Sequence, residues 1–91
     1  MTTRRLRIRG NWWKLIFGRP PANKCVAYCD PTTRRLWIRP SSNKTRWQRR
    51  GGAIHEVIHA AMPDLAEEAV LELEDAINLA IHEMEKAGLL D

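Results

Sequence analysis

The sequence predicts an α+β domain, a small antiparallel sheet of about three strands packed on a two-helix hairpin. Three observations predict it. Apolar and polar residues alternate with period two in short runs before Pro40, and helical spacing replaces that alternation after it. Turn residues at Met62-Pro63-Asp64 and at Gly88 divide the second half into two helices and close it. The chain of 91 residues makes one small domain, spanning 1–91.

Arg4 to Arg9 alternates arginine with Leu6 and Ile8, the pattern of an edge strand or a basic arm over residues 1–10. Gly10-Asn11 punctuates it, and Trp12 to Phe17 reads as a strand. Residues 18–23 form a loop, because the tandem Pro20-Pro21 bars a ladder strand. Cys25 to Cys29 is the next strand, with Cys25, Ala27 and Cys29 on one face. Asp30 to Arg34 turns the chain into a strand at Arg35 to Arg39, stopped by Pro40, and the two strands form a hairpin. Alternation accounts for the Cys25 and Cys29 spacing, and no second cysteine pair makes it a metal site.

Ser41-Ser42-Asn43 breaks the last strand. Thr45 with Gln48 is a capping box, so a helix begins near residue 46. Gly51-Gly52 weakens that helix and lets a strand pack closely, or else marks the helix start. Asp64 with Glu67 is a second capping box. It opens a long helix from about Leu65 to Ala87, with an apolar stripe of Val70, Leu73, Ile77, Ala80, Ile81 and Met84.

Charge is divided sharply. Residues 1–50 hold 14 of the 15 Lys/Arg and one acid, Asp30, whereas residues 51–91 hold ten acids and one base, Lys86. All four tryptophans lie in the basic half. The first expectation is that the halves neutralise each other within one fold, with the tryptophans in its core. The alternative is a surface for nucleic acid, whose footprint is basic residues among aromatics. No run approaches the roughly 18 apolar residues of a membrane span. No signal-like stretch follows the basic start, so the expected location is the cytoplasm, with both cysteines as free thiols.

One stretch carries chemistry. His55-Glu56-Val57-Ile58-His59 is a His-Glu-x-x-His motif within the small and aliphatic run Ala53 to Ala61. Histidines four apart lie one turn above each other on a helix face and can share one zinc ion. Glu56 is then placed to take a proton from a zinc-activated water without being a ligand. The aliphatic flanks would bury this polar trio, and a metal is the commonest compensation for such burial.

A catalytic zinc site takes a third protein ligand, and the next helix supplies it. Across a short turn near Pro63, His59 comes level with about residue 67 and His55 with about residue 71. The ligand is therefore Glu67, Glu68 or Glu72. Glu67 already serves the second capping box, which favours Glu68, with Glu72 or Asp75 orienting the histidines from behind. His82 lies about 21 Å along the helix from Glu68 and reads as a surface residue.

The region from Trp12 to Leu89 resembles a group of small HExxH proteins, largely of phages and bacteria, that are zincin-like metallopeptidases. The resemblance rests on Trp12-Trp13, Cys29-Asp30-Pro31, the strand Arg35 to Arg39, the motif at His55 to Ala60, and Glu67-Glu68-Ala69-Val70 opening a helix. It implies a minimal zincin-like fold in which Leu36 to Arg39 lines the cleft for an extended peptide. It also implies that Glu68, the acid before Ala69-Val70, is the third ligand. The chain departs from larger zincins: it has no second subdomain, no HExxHxxGxxH and no distant Glu-x-x-x-Asp. The expected function is zinc-dependent peptide hydrolysis, with one Zn2+ per chain, a peptide or protein substrate, and the host cytoplasm as its place if a phage encodes it. The alternative is a non-enzymatic, zinc-stabilised module that binds nucleic acid or protein through the basic half.

Overall fold

In the computed structural model, residues 2–21, 27–40 and 45–90 are described. The class is α+β, and the elements run β1 (Thr2–Ile8), β2 (Asn11–Phe17), β3 (Ala27–Asp30), β4 (Arg35–Ile38), α1 (Arg46–Ala61) and α2 (Glu67–Lys86). The sheet has four strands in the order β1-β2-β4-β3. It is mixed where an antiparallel sheet of about three strands was expected. Within the residue 1–10 segment Thr2–Ile8 is an edge strand, and β2 and β4 run parallel. The predicted hairpin is present, with β3 antiparallel to β4. Cys25, Val26 and the break at residues 41–43 lie outside the described residues.

The β1–β2 turn is two residues long, and both have positive φ, Arg9 at 48° and Gly10 at 84°. Such a turn follows the right-handed twist of the paired strands. Arg9 also donates from Nη1 to the Ala61 carbonyl oxygen at 3.0 Å, which ties the hairpin to the end of α1. In the β3–β4 turn, Asp30 accepts from the Thr32 N–H and the Thr33 hydroxyl, at 3.1 and 2.8 Å.

One face of the sheet carries Ile8, Trp13 and Leu36, and α1 covers it with Val57, Ala60 and Ala61. Of the tryptophans, Trp13 is in this core, but Trp12 and Trp47 are exposed. α1 starts as its sequence predicts: the Thr45 hydroxyl accepts from Gln48 N–H at 3.1 Å, and Gln48 returns the bond to Thr45 N–H at 3.2 Å. Gly51-Gly52 lies inside α1 and does not begin it.

The outer layer is α2, which packs on α1 and on no described strand. It turns an unexpected side inward. Leu73, Ile77 and Met84 of the anticipated apolar stripe are exposed, and the stripe facing α1 includes Glu67, Val70, Glu74, Asn78 and Glu85. Polar partners on α1 decide this rotation. Arg50 donates to Asn78 Oδ1 and pairs with Glu85, which Arg46 also contacts. The Arg50 bond holds the Glu85 carboxyl below its usual range, with Arg46 adding to it. Asn78, 1% exposed, also donates to the Trp47 carbonyl oxygen at 3.1 Å.

The glycine is needed for this contact. A Cβ on Gly51 would sit 2.9 Å from Glu74 Oε2 and 3.2 Å from Asn78 Nδ2. The close neighbour that Gly51 admits is therefore a helix, where a strand was the expectation for the Gly-Gly pair. Asn78→Ala should strip Arg50 and the Trp47 carbonyl of a partner and cost about 2–4 kcal/mol. Urea unfolding should show a lowered midpoint with unchanged slope, and an unchanged midpoint would remove Asn78 from this role. No described helix is long and apolar enough to cross a membrane.

Candidate metal centre

His55 and His59 stand one turn apart on α1, on the side facing α2. Their rings meet at 4.7 Å between centroids, and their Nε2 atoms are 3.1 Å apart. Glu67 closes a triangle. Its Oε1 lies 3.0 Å from His55 Nε2, and its Oε2 lies 3.1 Å from His59 Nε2. His55, His59 and Glu67 form the one such group found among the described residues.

The group fits zinc. Metal–ligand distances of about 2.0–2.1 Å in a tetrahedron put the ligand atoms about 3.3–3.4 Å apart. The Nε2–Nε2 edge, at 3.1 Å, is within a few tenths of that. Glu67 sets one carboxylate oxygen against each imidazole, and one donor atom from each of the three residues lies within 4.8 Å of the others. Two imidazoles and a carboxylate are the donor set of catalytic zinc, and three protein donors leave a fourth position for water or substrate. Glu67, with its side chain 57% exposed, forms the open side of the triangle.

The preferred ligand, Glu68, is exposed and stands outside the group. The cause is the start of α2. Ala66 is its N-cap and makes no side-chain capping bond, so the expected Asp64–Glu67 capping box does not occupy Glu67. Glu67 is then the first helical residue and turns to α1. Neither Glu72 nor Asp75 supports the histidines, and both are exposed. Glu74, absent from the expected set, contacts His55 Nδ1 at 2.8 Å. A carboxylate there keeps a proton on Nδ1 and leaves Nε2 free to bind metal. The signal for it was the i, i+7 relation to Glu67, two turns along one face.

Glu56 points to the other side of α1, towards β3. It is 5% exposed. Burial raises its carboxyl above the ordinary value, against the opposing pull of His55 and His59. A raised carboxyl is nearer the value that suits proton transfer at neutral pH. Glu56 and His59 share a cleft of about 350 Å³ with Tyr28, Cys29 and Pro31. Tyr28, which the sequence could not place, is thus beside the motif. Cys29 is a free, half-buried thiol pushed up to about 11, by burial first and then by Glu56 and Asp30.

The strand beside this cleft is β3 rather than β4. β4 is paired on both sides, by β2 and β3, so the stretch implied by the resemblance, Leu36 to Arg39, lies inside the sheet. β3 is at the edge of the sheet order, with one side unpaired among the described residues. His82 is exposed, as expected, and meets the Trp47 ring edge-on at 5.9 Å. No known protein family, curated protein or solved structure matches this chain.

Proposed function

We propose that the chain is a minimal zinc-dependent peptidase of the zincin-like kind. The observation that carries the reading is the three-donor group of His55, His59 and Glu67, with the buried Glu56 in an edge-strand cleft that His59 also lines. Bound zinc supplies Lewis acidity towards a peptide carbonyl and makes water acidic enough to attack near neutral pH.

The chain's own groups do the rest. Glu56 accepts the proton of the attacking water and passes it to the leaving amine. Glu74 holds the His55 ring in place. The unpaired side of β3 offers main-chain hydrogen bonds to an extended peptide. A cytoplasmic location belongs to the same reading, supported by the free Cys29 thiol.

The test is elemental analysis and a peptide-library digest on the same preparation. One zinc per chain is expected, with cleavage that stops on chelation and returns with added zinc. Zinc at about 100-fold over its dissociation constant should also stabilise the fold by about 2.7 kcal/mol. A chain that holds zinc and cleaves nothing is a structural zinc module, and a chain that holds none overturns the proposal.

A further inference from the structure

The sheet has a second face, and no described helix covers it. Core residues Ile8, Trp13 and Leu36 point to α1, so alternation sends Arg5, Arg7, Trp12, Lys14 and Arg35 to the opposite side, where all five are exposed. Register then aligns them. Arg5 pairs with Lys14, and Lys14 with Arg35, giving a row of three cations across β1, β2 and β4. Strands lie about 4.8 Å apart, so the row spans roughly 10 Å. Arg7 pairs with Trp12 beside that row.

Like charges directly opposite one another on a sheet are destabilising. Asp30, beside Arg35 in the register, is the sole acid that β1 to β4 carry, and its charge offsets part of one cation of the row. The row therefore fits an anionic partner. Trp12 adds a second requirement. Its ring is 51% exposed and is held by the Arg5 and Arg7 guanidinium carbons, 4.6 and 5.6 Å from its centroid. An exposed aromatic ring beside cations offers a stacking surface to an unpaired base while neighbouring cations take the flanking phosphates.

We propose that this face binds single-stranded nucleic acid, with Arg5, Lys14 and Arg35 on the phosphates and Trp12 under a base. A duplex hides its base faces and would leave Trp12 unused. An anionic membrane surface would need further apolar anchors, but Ile16, on this same face, is buried. The metal centre lies beyond α1, on the other side of the sheet, so the two proposals stand or fall separately.

The experiment is fluorescence anisotropy of labelled 15-mers of thymidylate and uridylate, with a duplex 15-mer and phosphatidylserine vesicles as comparisons. Binding of the single strands should weaken linearly on a log–log salt plot, with a slope of about −2 for three contacted phosphates. Trp12→Ala should lose about 5- to 150-fold. The double change Arg5→Gln with Lys14→Gln should lower affinity at least tenfold and flatten the slope. Lys86→Gln on α2, with one cation likewise removed, should change neither. Circular dichroism and the thermal melting temperature establish that each variant is folded, and Arg7→Gln serves if the double variant is not. Equal affinity for the duplex, binding to vesicles alone, or variants that bind like the parent would overturn the proposal.

Discussion

Glu56→Gln should keep its zinc and lose about 10²–10⁴-fold in peptide cleavage. The glutamine keeps the shape and fills the same space beside β3, so the triangle of His55, His59 and Glu67 has no cause to move. It cannot accept a proton. Burial already disfavours the charged form of Glu56, so a neutral isostere should not lower stability in the metal-free chain. The useful pattern is therefore a split: zinc content and melting temperature unchanged, turnover lost. Loss of zinc together with turnover would mean that Glu56 helps to hold the metal. Parent-like turnover would mean that another group is the base, or that the measured cleavage comes from a contaminant.

Much of the fold was legible because its signals are local. The alternation of Arg4 to Arg9, the Thr45–Gln48 capping box and Gly88 at the end of α2 each report on a few neighbouring residues. Gly88 has φ 74°, and Leu89 N–H returns to the Met84 carbonyl oxygen, the closing bond of a helix that ends on a left-handed residue. What the chain concealed was relational. Parallel pairing of β2 and β4 depends on where the connecting segment lies, and no local residue encodes it.

The rotation of α2 was concealed for a different reason. Its apolar residues outnumber the polar ones that face α1, so periodicity points to Leu73, Ile77 and Met84 as the packed side. The structure instead spends that contact on the partners of Arg50, His55 and His59. In a chain this short, α1 already covers the sheet core, and α2 is left to satisfy α1's charged and polar groups. The motif histidines were plain from spacing alone. The carboxylate that stands beside the two imidazoles is Glu67 where Glu68 was expected, one residue away and a turn of about 100° on a helix.

That one-residue difference sets up the sharpest comparison available at the site. Three carboxylates, Glu67, Glu68 and Glu74, lie within eight residues of one helix and should respond in a fixed order. Glu74→Ala removes the partner of His55 Nδ1 but leaves all three donors, and should weaken zinc about 10–100-fold. Glu67→Ala removes a donor itself and should weaken zinc by more than that. Glu68→Ala, outside the triangle and exposed, should leave affinity unchanged. Competition with a coloured chelator measures all three on one scale. The order matters more than any single value, because loss of a charge near the metal weakens binding at any of the three positions to some extent. If Glu68→Ala were the most damaging, the start of α2 would have to be one residue out of phase with the structure. Near-equal losses at all three would reduce the carboxylates to a general acidic field, with two histidines as the only ligands.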